Sequence, residues 1–250
     1  MPPSAPAAKV ISDVARHDFA LDVGDECLAC DRMTAAGNIG DNIHTLFLHG
    51  AGQSTRERQR VLREELARHG MGSAACDFSG HGASTANAPN TLKKREAEAQ
   101  ALLEQATRPE RTVVGVSMGG EIAMRLACRP ENRITHLVTL VGAIYDAAAL
   151  ALPFGPAFTA ALRREHSWRD AGVLSQIEGF RGHITLIRGM EDTVIPHEIA
   201  GLIRQHARQA QSCRIIDLPG VDHRLSEHCT RDAALRAQVA RWIARPGAAV

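Results

Sequence analysis

The stretch Thr112-Val113-Val114-Gly115-Val116-Ser117-Met118-Gly119-Gly120 joins two different patterns of hydrophobicity. The apolar, largely β-branched run up to Val116 predicts a buried strand, and Glu121 to Ala127 has the periodicity of a helix. Between them, Ser117 has a glycine two residues before it and another two residues after it, which leaves room for a sharp, strained turn. The pattern predicts strand, turn and helix, with the Ser117 hydroxyl held clear of the sheet at the start of the helix.

Length and composition are those of one globular α/β domain. The chain has 250 residues, of which 44% are hydrophobic, and its 29 basic side chains nearly balance 28 acidic ones. This balance does not indicate nucleic acid or an anionic membrane as a partner, and no apolar run approaches the ~20 residues that span a bilayer. We expect a flexible tail over residues 1–14, a single domain over residues 15–245 and a cytoplasmic location; the oligomeric state is not predicted.

The six cysteines are scattered along the chain, as is typical of reduced thiols in a cytosolic protein. Cys27 and Cys30 form a CxxC pair, but a zinc site requires a second pair at suitable spacing, and none follows. We therefore predict no metal site and assign these two residues to packing on a strand.

Strand and helix patterns alternate along most of the chain, which predicts right-handed crossovers and a mainly parallel sheet. An antiparallel hairpin from His17 to Thr34, turning at Gly24-Asp25, opens the sheet. The alternation breaks from Ala143 to Phe180, where no sheet strand is evident, and this segment predicts a small lid over residues 143–180 above the sheet. The strands expected after the hairpin are His44–Leu48, Gly72–Asp77, the run ending at Val116, Ile134–Val141, Gly182–Gly189 and Ser212–Leu218.

Three motifs in order resemble those of α/β-hydrolases. They are His49-Gly50-Ala51-Gly52, Asp77-Phe78-Ser79-Gly80-His81-Gly82-Ala83-Ser84 and Gly115-Val116-Ser117-Met118-Gly119-Gly120. Within that fold the chain is most similar to the monoglyceride lipase and serine aminopeptidase-like branch, over roughly residues 15–245. The resemblance implies an eight-stranded, mostly parallel sheet with helices on both faces and a short lid after the sixth strand. It also implies a serine hydrolase with Ser117 at a nucleophile elbow.

A serine nucleophile requires a base, usually a histidine that a carboxylate orients. In this fold the three residues follow in the order serine, acid, histidine. Asp192 lies just past the strand Ile184–Arg188, and His223 lies just past the last predicted strand. Because parallel strands release their following loops at one edge of the sheet, we expect Ser117, Asp192 and His223 to meet there as a catalytic triad.

Alternatives exist for two members of this triad. His228 is the second candidate for the base among the chain's 12 histidines. Glu191 is adjacent to Asp192, and Asp146 follows the preceding strand, a position that some relatives with this fold use for the acid. Asp222 is expected to shape its loop.

The resemblance also implies an oxyanion hole. Its two backbone N–H donors would be those of Met118, at the start of the helix, and Ala51, in the small-residue loop after the third strand. The triad and these amides suffice for acyl transfer, so no metal or organic cofactor is predicted.

Aromatic side chains in the predicted lid are candidates for substrate binding. Tyr145, Phe154, Phe158 and Trp168 either line an apolar acyl pocket or fill the core of the lid itself. Three arginines of the same segment either contact a carboxylate or phosphate on the substrate or form a solvated face. They are Arg163, Arg164 and Arg169.

We therefore predict hydrolysis of a small carboxylic ester, a small-molecule acyl substrate, through an acyl-serine intermediate. One alternative is a thioesterase acting on coenzyme A- or carrier-bound acyl groups, or an amidase or peptidase. Another is a non-hydrolytic acyltransferase or binding module on the same fold, since a fold does not determine a function.

Overall fold

The computed structural model describes residues 13–37 and 43–246. Residues 1–12 of the tail predicted for residues 1–14 therefore lie outside the described residues. The first strand begins at Val14. Eight strands of the described chain form one sheet. They are β1 (Val14–Val23), β2 (Glu26–Ala35), β3 (Ile43–Leu48), β4 (Gly72–Cys76), β5 (Arg111–Val116), β6 (Ile134–Leu140), β7 (His183–Gly189) and β8 (Ser212–Leu218).

Helices occupy most connections between the parallel strands. They are α1 (Arg60–Arg68), α2 (Leu92–Ala106), α3 (Met118–Ala127), α4 (Pro156–Arg163), α5 (Val173–Ile177), α6 (Glu198–His206), α7 (Leu225–Arg231) and α8 (Ala233–Ala244). Over the described ranges, none of these helices combines the length and apolar character needed to cross a bilayer.

The strand order in the sheet is β1-β2-β4-β3-β5-β6-β7-β8. β1 and β2 form the predicted hairpin around Gly24-Asp25, and β2 pairs antiparallel with β4. Every other neighbouring pair is parallel. The carboxyl ends of β5, β7 and β8 consequently lie at one edge of the sheet, which is where Ser117, Asp192 and His223 follow them.

Apolar side chains from helices cover both faces of the sheet. On one face, α2 and α3 contribute Leu102 and Ile122 to a cluster that also contains residues of α5 and α6. On the other face, α1 and α8 contribute Leu66 and Val239. The prediction of a mostly parallel, eight-stranded α/β sheet with helices on both faces is confirmed.

The segment between β6 and β7 adds no strand to the sheet, as expected for an insertion after the sixth strand. It includes α4, α5 and two short 3₁₀ turns at Ala147–Ala149 and Ser167–Asp170. The buried side chains of Ala149, Val173 and Ile177 join the core cluster on the α3 face. This segment is therefore packed onto the body of the protein along much of its length.

Helix α7 is an element that sequence periodicity did not predict. It has seven residues, and only Leu225 and Cys229 on it are buried. Two apolar positions four residues apart are too few to distinguish a short helix from a loop. The helical segment after β3 begins with a 3₁₀ turn, Arg56–Gln59, and continues as α1.

Candidate active site

Ser117 occupies a strained backbone conformation at the end of β5. Its φ is 51° and its ψ is −119°, a region that residues with a side chain rarely adopt. A Cβ atom on Gly115 would lie 2.2 Å from the carbonyl oxygen of Gly119, and one on Gly119 would lie 2.3 Å from the carbonyl oxygen of Leu48. The two glycines therefore let α3 cross close to the ends of β5 and β3, and this close crossing makes the turn possible.

Ser117, His223 and Asp192 form a continuous chain of hydrogen bonds. His223 Nδ1 lies 2.9 Å from Asp192 Oδ2, and His223 Nε2 lies 3.1 Å from Ser117 Oγ. Because a carboxylate only accepts hydrogen bonds, Nδ1 carries the ring proton and donates a hydrogen bond to Asp192 Oδ2. The lone pair of Nε2 then faces the Ser117 hydroxyl, which is the arrangement a general base requires.

The carboxylate of Asp192 is buried and fixed. Its Oδ1 accepts hydrogen bonds from the backbone N–H groups of Val194 and Ile195, at 2.8 and 3.0 Å. Its own side chain is 2% exposed. Oδ2 is thereby left to His223 alone among the described residues, so the imidazole has one defined orientation.

The loops that carry Asp192 and His223 hold each other in place. The N–H of Glu191 donates to the carbonyl of Val221 at 3.0 Å. A Cβ atom on Gly189 would lie 2.2 Å from the same carbonyl oxygen. The loop that carries Asp192 and the loop that carries His223 are therefore in direct backbone contact. This contact keeps the distance between Asp192 and His223 fixed.

The other candidates for the acid and the base are engaged elsewhere. His228 Nε2 bonds Asp222 at 3.1 Å, not Ser117. Asp146 caps the turn at Ala147–Ala149 and forms an ion pair with Arg164. Glu191 is exposed, with its side chain outside the hydrogen-bond chain.

The loop that follows β3 lies directly behind Ser117. A Cβ atom on Gly50 would lie 3.2 Å from Ser117 Cβ, so this glycine permits a close approach. Within the described chain, the backbone N–H groups of Ala51 and Met118 make no hydrogen bond to another residue. These are the two donors expected to form the oxyanion hole.

His49 holds this loop and is a neutral imidazole. The N–H of Phe78 donates to His49 Nε2 at 3.0 Å, so the ring proton is on Nδ1 and is donated to the carbonyl of Gly50 at 2.8 Å. Burial, with the nearby Arg95 charge, lowers the pKa of His49 well below its usual value. The ring is thus a fixed part of the loop and takes no part in proton transfer.

A small cavity of about 120 Å³ opens beside Ser117. Its lining is more apolar than polar, and charged side chains of the 3₁₀ turn after β3 and of the start of α7 border it. Arg58 and Glu227 face each other there at 3.7 Å. The residues that line it are Gly50, Ala51, Ser54, Arg58, Gln59, Val116, Ser117, His223, Arg224, Ser226 and Glu227.

Sequence reasoning did not identify Arg58, Gln59, Arg224, Ser226 or Glu227 as site residues. They all lie within a few residues of a predicted motif, the oxyanion loop or His223, and this proximity was the available signal. Their side chains reach the cavity because a 3₁₀ turn and a short helix start immediately after those loops.

The structure does not bring the four aromatic residues of the inserted segment to this cavity. Phe158 packs against Phe154 and Tyr145, with ring centroids 4.6 and 6.2 Å apart. The indole N–H of Trp168 donates to Glu198 on α6. These rings fill the core of the insertion and its contact with the body, so the geometry gives no support to their predicted role in substrate binding.

Two arginines of the inserted segment form ion pairs with carboxylates of the protein itself. Arg164 pairs with Asp146 and Asp170, and Arg169 pairs with Glu198. Across residues 13–37 and 43–246, no three His, Cys, Asp or Glu side chains cluster as they would to hold a metal ion.

Solved structures share this architecture at low sequence identity. The thioesterase domain from the curacin biosynthetic pathway superposes with a TM-score of 0.68 and 17% identity, covering 92% of this chain and 100% of that one. The esterase Pf2001 of Pyrococcus furiosus gives 0.65 and 19%, covering 93% of each chain. The α/β-hydrolase domain-containing protein 10 from mouse gives 0.66 and 15%, covering 91% of this chain and 97% of that one.

Sequence comparison places the chain in a family. No curated protein sequence matched it. Residues 43–176, more than half of the chain, match the model of the family described as serine aminopeptidase, S33. This segment contains the oxyanion loop and the Ser117 turn. The chain therefore belongs to the serine aminopeptidase (S33) family of α/β-hydrolases.

Proposed function

We propose that the protein is a serine hydrolase that cleaves a small carboxylic ester through an acyl-serine intermediate. The observation that carries the proposal is the hydrogen-bond chain from Asp192 through His223 to Ser117. Each member has the state its role requires: a buried carboxylate acceptor, an imidazole with a free Nε2 lone pair, and a hydroxyl on a strained turn.

The reaction follows from this geometry in two halves. Ser117 Oγ attacks the ester carbonyl carbon while His223 Nε2 takes the hydroxyl proton, and the carbonyl π electrons move to the oxygen. The N–H groups of Ala51 and Met118 donate to that negative oxygen. When the tetrahedral intermediate collapses, the alcohol leaves with the proton from His223, and the acyl group stays on Ser117.

Hydrolysis of the acyl-serine repeats the same steps with water. His223 takes a proton from the attacking water, and the tetrahedral intermediate forms in the same oxyanion hole. Collapse then releases the carboxylic acid and returns the proton to Ser117 Oγ. The enzyme is restored without any other co-reactant.

The size of the cavity supports a small ester. Its volume of about 120 Å³ is below the ~300–1,000 Å³ that is usual for sites that bury a drug-sized ligand. Polar groups at its wall, among them Gln59, Ser226 and the Arg58–Glu227 pair, are able to hold a short substrate by hydrogen bonds.

A thioesterase is the second candidate. The observation in its favour is the guanidinium of Arg58, 47% exposed at the cavity wall, which is able to contact an anionic group on a carrier. A thioesterase domain with the same fold, at 17% identity, shows that this architecture is compatible with thioester hydrolysis.

We also propose a cytoplasmic location. All six cysteines are free, and several of them are buried, which is usual for proteins of reducing compartments.

A substrate panel tests the proposed specificity. Esters, thioesters and anilides that share one acyl group are compared, and acetyl, butyryl, octanoyl and lauroyl esters of one alcohol form a second series. We expect kcat/KM to be highest for the acetyl or butyryl ester and to fall for the longer chains. A preference for lauroyl esters, or for the thioester over the matched ester, would overturn the small-ester assignment, with Ser117→Ala as the background control.

A further inference from the structure

Arg95 on α2 places a buried positive charge behind the oxyanion loop. The residue is 1% exposed, and burial lowers its pKa only to about 10, so the guanidinium is charged at neutral pH. Within the described ranges no carboxylate forms a salt bridge with it, and the Glu98 carboxylate on the same helix acts on it electrostatically, raising its pKa. Buried charges are usually paired or otherwise stabilised, so the partners of this cation indicate what it does.

The partners of Arg95 belong to the candidate active site. Its Nη1 donates to the carbonyl of Gly50 at 3.1 Å and lies 3.4 Å from the sulfur of Met118. Its carbon Cζ lies 4.9 Å from the ring centroid of Phe78 and 5.0 Å from that of Phe154. The cation therefore contacts Met118 and the residue before Ala51, Gly50. It is also stabilised by two aromatic faces.

The second arm of the guanidinium is held by His81. Arg95 Nη2 donates to His81 Nε2 at 2.9 Å, and the proton on His81 Nδ1 is donated to the carbonyl of Ser79 at 3.2 Å. Burial lowers the pKa of His81, and the adjacent Arg95 lowers it further, so His81 is a neutral acceptor. Both terminal nitrogens of the guanidinium, Nη1 and Nη2, are therefore held by hydrogen bonds.

The carbonyl of Gly50 controls the direction of the Ala51 N–H. Both groups belong to one planar peptide unit, which is trans because the described chain has no cis peptide bond. In a trans peptide the C=O and the N–H point in opposite directions. The two donors on Gly50 O, His49 Nδ1–H and Arg95 Nη1–H, therefore aim the Ala51 N–H away from themselves.

Resting on the proposed function, we propose that Arg95 is a positioning residue for the oxyanion hole. Its guanidinium holds the Gly50 carbonyl, which turns the Ala51 N–H toward the negative oxygen of the tetrahedral intermediate. The positive charge also polarises the peptide unit, which makes that N–H a stronger donor when charge develops. Arg95 itself touches neither the substrate nor Ser117.

Arg63 on α1 provides a matched control. It is also fully buried, but its guanidinium bonds Ser73 and forms an ion pair with Asp31, on a part of the sheet that does not reach the oxyanion loop. Loss of either arginine removes a buried cation. Only the loss of Arg95 should change catalysis beyond its effect on stability.

The test compares Arg95→Gln and Arg95→Lys with Arg63→Gln and Arg63→Lys. For each folded variant, kcat and KM are measured on the best ester of the panel, together with the Kd of an alkylboronic acid. The boronic acid forms a tetrahedral adduct on Ser117 whose oxygen occupies the oxyanion hole. We expect kcat to fall about 30-fold in Arg95→Gln and about 5-fold in Arg95→Lys, with KM little changed.

The boronic acid distinguishes positioning from a structural role. Its Kd should rise by the same factor as kcat falls in the Arg95 variants and should stay within about twofold of wild type in the Arg63 variants. Folded Arg95 variants with wild-type kcat and Kd would overturn the proposal, and so would the failure of both to fold. A wild-type protein that binds no boronic acid would remove the proposed function itself, which is a separate result.

Discussion

In the proposed mechanism, the tautomer of His223 determines whether its Nε2 is able to take the proton of Ser117. Asp192 Oδ2 accepts only, so it holds the proton on Nδ1 and leaves the Nε2 lone pair toward Ser117. The neighbouring carboxylate of Asp222 does not compete for the ring, because it bonds Arg224 and His228. One carboxylate therefore determines one tautomer.

Asp192→Asn tests this dependence. Asparagine still accepts from the N–H groups of Val194 and Ile195, but its amide NH₂ donates to Nδ1 and favours the proton on Nε2. We expect kcat to fall about 10⁴-fold with little change in melting temperature. Asp222→Asn is the matched control and should keep kcat within about threefold of wild type. Equal losses in the two variants would contradict the assigned roles.

The close packing of helix α3 on the ends of β5 and β3 creates the site. The Ser117 carbonyl accepts from Ala143, at 3.0 Å, and the Ser117 N–H donates to Leu140, at 3.0 Å, so the turn is also tied to β6 and the segment after it. A change in the distance between α3 and β3 should therefore alter both the strained turn and the oxyanion loop.

Gly119→Ala should disrupt that packing. The new Cβ would meet the carbonyl oxygens of Leu48 and His49 at 2.3 and 2.9 Å, and both are backbone atoms that move only with the strand end. We expect a loss of about 1–3 kcal/mol in the free energy of unfolding, measured by urea denaturation, and a large loss of kcat.

Gly201→Ala on α6 is the control for this variant. A Cβ there meets nothing within 4 Å, so the substitution should stabilise the helix by about 0.5–1 kcal/mol without changing kcat. A Gly119→Ala protein as stable and active as Gly201→Ala would show that the close approach is not required.

The stability of the whole molecule should depend on pH through its buried histidines. His136 on β6 is fully buried, and its Nε2 lies 2.9 Å from Thr185 Oγ1. Burial, with the Arg214 and His183 charges, lowers its pKa to about 3. As pH falls, this histidine therefore binds a proton in the unfolded chain at a higher pH than in the folded protein. The contribution of neutral His136 to the free energy of unfolding is complete above about pH 6.5 and is lost progressively down to about pH 3.

His136→Gln should remove this part of the acid sensitivity. Glutamine is able to keep the hydrogen bond to Thr185 but does not titrate. Between pH 7 and 5, we expect the variant to lose about 2 kcal/mol less unfolding free energy than the wild type. Urea denaturation at each pH gives the comparison, with His17→Gln at an exposed position of β1 as control. An unchanged slope in His136→Gln would contradict the burial argument.

The order of strands and helices was predictable from the sequence, because strand and helix periodicities are strong over long segments. The hairpin turn at Gly24-Asp25, the approximate positions of the strands and the positions of Asp192 and His223 after β7 and β8 follow from local patterns and parallel topology. The fold class was predicted correctly for the same reason.

The cavity wall was not predictable in the same way. Side chains such as Arg58 and Glu227 line the cavity beside Ser117 because they belong to a 3₁₀ turn and a seven-residue helix, which are too short to leave a periodic signal. The aromatic residues of the insertion posed the opposite problem. Their type fits an acyl pocket or a small core equally well, and only packing shows that Phe154 and Phe158 face each other.

Labelling with a fluorophosphonate tests the central claim most directly, because only an activated serine displaces fluoride from phosphorus. Intact mass and peptide mapping should show one adduct per chain, on Ser117, in the wild type. Ser117→Ala should show none, and its melting temperature should stay near that of the wild type because alanine meets the same strain at φ 51°. A wild-type protein that stays unlabelled, or one labelled at another residue, would contradict the account.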